Sequence, residues 1–334
     1  MENKRPQRIV RLPTALEGLD DWLYLDGDSN HSVGQYTGEV SLPTRSQEAW
    51  HVHFQEISKL REELGFDFVQ LFAPSKESVY EDFYPHRSRR AAIRPIDSVL
   101  ALVPPDIAAL YPRAELAPQS GRFDTYDKGD THWNAFGAAV AAEIALRRLG
   151  LDRLTPLNLE YTLKTRHGDL DSKIVGRPAG EMRELSRTNN DAIVEFDSMV
   201  HNRGRVVVTH NPRAPGGKLV IFGDSFGAHF RRALLHVFRR LVFVHANSVD
   251  AEFLRVERPD YVITEMTERF VTLPPSAPST FRIINLLRTK LDGVPDSEKE
   301  EFKRVYQGKL DSPERHIASL FLQAFEPAAP PHGG

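Results

Sequence analysis

The sequence predicts an α/β fold, a parallel β-sheet with helices on both faces, and three observations lead there. Residues 66–72, 219–222, 241–245 and 261–264 are short, mostly apolar runs of strand length. Stretches whose apolar residues repeat at helical spacing lie between them, and strands alternating with helices argue for a parallel sheet covered on both sides. The chain has 334 residues, 40% of them hydrophobic, enough to bury a sizeable core.

Residues 1–17 read as an irregular lead-in, and Trp22 to Leu25 as a short strand. Thr44-Arg45-Ser46-Gln47 has the spacing of a capping box and predicts a helix to Leu64, with Trp50, Phe54, Ile57 and Leu60 on one face and Gly65 as its stop. His51 and His53 in it do not share a face, which argues against a metal pair. The strand over 66–72 ends at Ala73-Pro74-Ser75-Lys76. Open α/β sheets bind ligands at strand ends, so Lys76 is a candidate substrate contact. Residues 96–111 suggest a helix, broken at Pro104-Pro105. Asn134 reads as the N-cap of a helix closed by Gly150. Residues 156–200 form a poorly periodic inserted arm, a candidate cover over the acceptor. After the strands at 204–211, 219–222, 241–245 and 261–264, amphipathic helices are expected over 281–291, 299–310 and 313–325. Residues 326–334 should be disordered. The expected organisation is one domain over 18–325.

The chemistry centres on Lys218-Leu219-Val220-Ile221-Phe222-Gly223-Asp224-Ser225. Four apolar residues make a buried strand, Gly223 and Asp224 turn, and a helical repeat starts after Ser225. A tight turn lifts a hydroxyl clear of the sheet edge, where the first helical N–H groups can face an oxyanion. The same residues also fit an ordinary serine cap. A second copy, Gly27-Asp28-Ser29, follows a strand too, but the Gly- and Ser-rich residues after it show no helical repeat and cannot aim a ring of donors. Asn30 and His31 beside it are candidates for a substrate groove.

A nucleophilic serine needs a base, and the base needs an orienting partner. With 13 His in the chain, setting matters more than presence. Asp130 and His132 are two apart; in an extended segment they share a face, so a carboxylate can lie beside the imidazole and leave its other nitrogen free. A purely structural Asp–His contact beside a helix cap fits the same spacing.

Taken in order, these pieces resemble the alginate O-acetyltransferase family, the AlgX/AlgJ type of SGNH-like domain. Asp130-Thr131-His132-Trp133 before a helix and Gly223-Asp224-Ser225-Phe226 after a strand are the core of the resemblance. Gly18-Leu19-Asp20-Asp21-Trp22, Pro74-Ser75-Lys76 with Val79-Tyr80, Gly168-Asp169-Leu170 and Glu268-Arg269 match in sequence order. The resemblance implies a three-layer SGNH-hydrolase-like (flavodoxin-like) sheet with the catalytic blocks in circularly permuted order. It implies a triad of Ser225, His132 and Asp130, with Gly223 and Asp224 supporting the turn and the Ser225 N–H facing the oxyanion. Lys76, Trp133, Asn30, His31 and Arg269 are the candidate substrate contacts. The function implied is acyl transfer, O-acetylation or deacetylation, on a polysaccharide or glycan hydroxyl. The resemblance also implies an acyl donor delivered by a membrane acyltransferase partner. A non-catalytic carbohydrate-binding or scaffold module on the same fold is the other reading.

Composition bounds the rest. A net charge of −3 gives no electrostatic reason to expect nucleic acid. With no Cys, disulfides and thiolate chemistry are excluded. No phosphate-binding loop or dinucleotide fingerprint is present, and no metal-ligand cluster stands out, so neither cofactor nor metal is expected. No stretch approaches the roughly 18 apolar residues of a membrane span. The charged N-terminal residues lack the apolar core of a signal peptide, so the chain as read is expected in the cytoplasm, or in the periplasm if the true start lies upstream.

Overall fold

The computed structural model describes residues 14–154, 159–186 and 191–326. Its strands are β1 (Thr14–Glu17), β2 (Leu23–Asp26), β3 (Asp67–Ala73), β4 (Ala108–Leu110), β5 (Tyr161–Arg166), β6 (Gly180–Leu185), β7 (Ile193–Asp197), β8 (Val206–His210), β9 (Gly216–Gly223), β10 (Phe238–His245) and β11 (Tyr261–Thr267). Its helices are α1 (Ser32–Thr37), α2 (Thr44–Leu64), α3 (Lys76–Val79), α4 (Pro95–Leu100), α5 (Arg113–Leu116), α6 (Ala135–Arg148), α7 (Ser225–Ala233), α8 (Ala251–Glu257), α9 (Ile283–Leu291), α10 (Asp296–Gln307) and α11 (Arg315–Gln323). Most of the expected lead-in and nearly all of the expected tail lie outside the described residues.

A seven-stranded sheet in the order β4-β3-β11-β9-β10-β8-β7 divides the molecule into three layers. Its centre is parallel, with β9 held between β11 and β10. Successive side chains on a strand point to opposite faces. Val220 and Phe222 therefore join Trp50, Phe54 and Ile57 of α2 and the apolar faces of α8 to α11 on one side. Leu219 and Ile221 meet α6 and α7 on the other. All four are fully buried, which is why this strand is an unbroken apolar run rather than an alternating one.

The structure departs from the expectations in four places. The sheet is mixed: β8 runs antiparallel to β10, and β7 antiparallel to β8. Apolar content tells that a strand is buried, not which way it runs. The capping box does not form: Pro43 occupies the N-cap, and its carbonyl takes the N–H groups of Ser46 and Gln47 at 2.8 and 3.0 Å. Only the first half of residues 96–111 is helical. α4 stops at Leu100, ahead of Pro104 and Pro105, whose missing donors bar a longer helix, and Ala108–Leu110 is instead an edge strand on β3. The arm is not irregular throughout: β5 and β6 pair as an antiparallel hairpin, and β7 joins the main sheet as its far edge. No described helix is long and apolar enough to cross a membrane.

One buried charge cluster locks the C-terminal helices to the sheet. Glu257, at the end of α8, is fully enclosed and meets Arg240 of β10 at 3.0 Å and His316 of α11 at 2.6 Å, while Arg240 also reaches Glu314 at 2.8 Å. Burial alone raises the Glu257 carboxyl, but hydrogen bonds from His316 and Arg240 outweigh it and hold the group at about 2. An unfolded Glu titrates near ~4.3. The cluster therefore contributes stability above that value and loses it as pH falls toward 2. Glu257→Gln is expected to lower stability by about 3 kcal/mol and to remove part of this acid-range slope. Thermal melts from pH 7 down to 3 read both effects; identical slopes for the two proteins would refute them.

Candidate active site

β9 delivers Ser225 to the C-terminal edge of the sheet. Gly223 ends the strand, Asp224 caps α7 by accepting the Phe226 N–H at 2.9 Å, and Ser225 opens the helix. The other Asp224 oxygen accepts the Thr267 N–H at 2.9 Å, so the turn is tied to the end of β11. As the first residue of α7, Ser225 keeps a backbone N–H outside the helix's own ladder.

His132 arrives from a loop, not from the sheet. Its Nε2 lies 2.8 Å from the Ser225 Oγ, and its Nδ1 lies 2.7 Å from an Asp130 oxygen that also accepts the His132 N–H at 2.8 Å. The two-residue spacing thus places carboxylate and imidazole side by side. Burial raises the Asp130 carboxyl, but the hydrogen bonds and charge of His132, with the Asp169 N–H, outweigh it and hold the group well below the usual carboxylate range. Asp130 is therefore ionised beside the His132 ring.

The loop is fastened on several sides. The Trp133 indole N–H donates to the Phe226 carbonyl at 3.1 Å, joining the residue after His132 to the residue after Ser225. Lys76 Nζ donates to the carbonyls of Asp127 and Lys128 at 3.1 and 2.9 Å, and the Tyr126 hydroxyl to that of Pro74 at 2.6 Å. Leu23 of β2 donates its N–H to Lys128 at 3.0 Å. Asn134 caps α6 from Phe136 and Gly137, both at 3.0 Å.

The arm supplies the last fastening. Asp169 takes the Thr131 N–H and hydroxyl at 2.7 and 2.6 Å and gives its own N–H to Asp130 at 3.2 Å. The Gly129 carbonyl accepts from Leu170 and Asp171 at 3.0 and 3.1 Å. A Cβ on Gly129 would overlap the Asp171 carboxylate, and one on Gly168 the Gly129 carbonyl, so glycine is required on both sides of this contact.

The candidate substrate contacts divide. Trp133 is wholly buried with its N–H spent, which corrects the expectation that it meets substrate. Lys76 is also buried, with its amine spent on the loop carbonyls, and burial lowers it to about 8 against the pull of Asp130, Asp169 and Asp127. It still lines the cleft beside the triad together with Leu25, Ser32, Glu77, Thr131 and Arg269. Arg269 lies over the Phe226 ring at 5.5 Å. Asn30 is half-buried and its carbonyl accepts from the Gln35 side-chain amide at 2.7 Å, while His31 is exposed, in a left-handed conformation at φ 55°.

Three participants escaped the sequence reading. Asp169 had a signal, the Gly168-Asp169-Leu170 match. His229, one turn beyond Ser225 on α7, stacks on His132 at 5.3 Å and 8° between planes. Burial, helped by His132 and Arg232, lowers it to about 4, so it adds no charge against an imidazolium. Glu265 of β11 is buried under the nucleophile turn and accepts the Asp224 N–H at 3.1 Å. Its only sequence signal is an acid inside an apolar strand. Asp130, His132 and Asp169 also offer ligand atoms within 4.8 Å of one another, but those of His132 and Asp130 already face each other.

The sheet and the placing of its serine turn define an SGNH-hydrolase-like protein. Within that class the chain belongs to the family described as the SGNH hydrolase-like domain of the acetyltransferase AlgX, which matches residues 15–254. A DHHW family protein from Eubacterium siraeum DSM 15702 superimposes with a TM-score of 0.57 at 14% identity, over 78% of this chain and 95% of its own. Bacillus cereus PatB1 does so with a TM-score of 0.59 at 13% identity, over 78% and 97%. PatB1 bearing a sulfonyl adduct gives a TM-score of 0.59 at 14% identity, over 78% and 96%. At such identities the likeness shows the fold alone. No curated protein is significantly similar in sequence.

Burial and the neighbouring Asp224 carboxylate raise Glu265 well above the ordinary glutamate range, so it is a neutral acid in the fold. An unfolded Glu releases its proton near ~4.3. The folded protein then binds a proton that the unfolded chain does not, and this contribution to stability falls as pH rises. A glutamine can reproduce both the donor and the acceptor. Glu265→Gln should melt within about 1 kcal/mol of the parent and lose that slope, whereas Glu265→Ala should cost about 2–4 kcal/mol. Melts across pH 5–9 test this; equal losses in both variants would mean that Glu265 is ionised.

Proposed function

We propose that this protein carries an acyl group, acetyl by family, to or from a polysaccharide or glycan hydroxyl through an acyl-Ser225 intermediate. The single observation behind this is the unbroken line from Asp130 through His132 to the Ser225 hydroxyl, at 2.7 and 2.8 Å. That geometry is what proton transfer from a nucleophile to a base requires.

The chemistry follows from the positions. Ser225 Oγ attacks the carbonyl of an acyl ester, and its proton passes to His132 Nε2. Negative charge develops on the carbonyl oxygen, which faces the Ser225 N–H at the start of α7. Asp130 keeps the imidazole in the tautomer that can accept, then stabilises the imidazolium. His132 returns the proton to the departing alcohol, leaving acyl-Ser225. An acceptor hydroxyl then attacks, giving its proton to His132, and collapse hands that proton back to Ser225. A sugar acceptor makes the protein a transferase; water makes it an esterase. We assign the donor to a separate membrane acyltransferase, as the family resemblance implies. A non-catalytic carbohydrate-binding scaffold would not call for the aligned base and acid.

A sulfonyl reagent probes this directly, since the fold is shared with a protein that has been seen with a sulfonyl adduct. Phenylmethanesulfonyl fluoride should label Ser225, identified by peptide mass, and should leave Ser29 untouched. Ser225→Ala should abolish labelling and cut aryl acetate turnover by about 10³-fold or more, and Asp130→Asn by about 10²–10⁴-fold, with the melting temperature retained. A label on another serine, or turnover unchanged in Ser225→Ala, would sink the proposal.

A further inference from the structure

The His132 ring rests on two aromatic faces of the helix that carries the nucleophile, and the mechanism above uses neither. Phe226 lies 5.0 Å away with its plane tilted by 43°, and His229 lies 5.3 Å away at 8°, close to parallel. Ser225 and His229 are four residues apart on α7, so they stand one turn apart on one side of that helix. The helix that sets the hydroxyl therefore also sets a flat ring against the base. Phe226 is wholly buried and belongs to the core. His229 is half-buried, and its ring nitrogens make no hydrogen bond with the described residues. What ties it to the site is the stack.

In the resting site His132 is held at both ring nitrogens, Nδ1 by Asp130 at 2.7 Å and Nε2 by the Ser225 hydroxyl at 2.8 Å. Acylation removes the second tie, because Oγ becomes an ester oxygen with no proton to give. Once the alcohol has left with the proton, Nε2 is a bare acceptor facing that oxygen. A ring held at one nitrogen can pivot there, and contact on its face is what opposes the pivot.

We propose that His229 is a positioning residue for the second half of the reaction, its ring holding the His132 imidazole in line with acyl-Ser225 while the acceptor attacks. This deepens the acyl-transfer reading and rests on it. In that step the acceptor oxygen bonds to the acyl carbon and gives its proton to Nε2. The bond from that carbon to Oγ then breaks, and Nε2 returns the proton to Oγ. One nitrogen must serve two oxygens in turn, and a pivot between the two events would stall the transfer. His229 suits the task because it is uncharged at neutral pH. Burial lowers it to about 4; His132, Arg232 and Arg166 oppose a charge there, and Asp130 favours one. A neutral ring face attracts the imidazolium instead of repelling it.

The test separates the two half-reactions in the full chain, with His229→Ala and His229→Phe as the variants. Labelling by phenylmethanesulfonyl fluoride reads the first, since it draws on the resting pair of Ser225 and His132. Decay of acetyl-Ser225 with water as acceptor reads the second, followed by intact mass after p-nitrophenyl acetate is removed. In His229→Ala, sulfonylation should stay within about threefold of the parent. Its acetyl-Ser225 should decay at least about tenfold more slowly, and so accumulate during turnover. His229→Phe keeps a flat ring and should bring the decay back to within about threefold. Thermal melts check both variants; if His229→Ala unfolds, His229→Leu, which fills space without a flat ring, takes its place. A ring-less variant that is sulfonylated normally yet accumulates no acetyl-Ser225 overturns the inference. So does an equal loss in both steps, or a failure of His229→Phe to restore the decay. A parent that takes no sulfonyl label at Ser225 removes the acyl-transfer reading itself, and this inference with it.

Discussion

The site depends on holding a loop still against a strand. Ser225 is positioned by the sheet itself, because β9 is flanked on both sides and its turn is bonded to the end of β11. His132 has no such support. It sits 93 residues away in sequence, on a segment closed by the bridge between Tyr126 and Trp133 and not by a place in the sheet. A shift of an ångström there would break its contact with the Ser225 hydroxyl. The bond from the Trp133 indole to the Phe226 carbonyl crosses from one segment to the other beside the reacting atoms. Lys76, Tyr126, Leu23 and Asp169 hold the loop from behind. These are mostly hydrogen bonds to backbone groups, so the loop satisfies its polar groups inside the protein while becoming rigid.

Two carboxyl groups near the nucleophile show how environment sets charge. Asp130 is mostly buried but accepts hydrogen bonds from His132 and from the Asp169 N–H, so it stays ionised. Glu265 is enclosed beside another carboxylate and is held neutral. On the proposed reading the first opposes an imidazolium, and the second sits beneath a turn whose helix start faces the developing oxyanion. A neutral acid there supports the turn without working against that charge. Gly223 and Gly227 leave room for it, since a Cβ at either would come within 2.9 Å of a Glu265 oxygen.

Much of this was legible in the sequence. The apolar strand, the turn residues and the helix after Ser225 are local signals, and each forms where it was expected. The Asp130-x-His132 pair was legible because its geometry needs only an extended segment. What was hidden depends on contacts distant in sequence. Residues of an arm that reads as irregular brace the acid, through Asp169. Lys76 reads as a substrate contact because it follows a strand end, and Trp133 through the family resemblance. Both face inward, and only packing shows it. The antiparallel edge made by β7 and β8 was hidden for the same reason, as strand direction is set by partners.

The two Gly-Asp-Ser tripeptides make the point at the level of single residues. In the first, no strand runs on into a long helix. Asp28 instead turns the chain back, accepting the Asn30 N–H at 3.2 Å and the Ser32 N–H at 2.9 Å. Ser29 is left exposed. Gln35 of the short helix that follows donates to the Arg269 carbonyl at 2.8 Å, which ties this turn to the end of β11. The first copy therefore helps to wall the cleft, with Ser32 and Arg269 both in its lining, while the second supplies Ser225. The same three residues take these different tasks because Ser29 is separated by Asn30 and His31 from a six-residue helix that the sequence did not show, whereas Ser225 itself opens a nine-residue one.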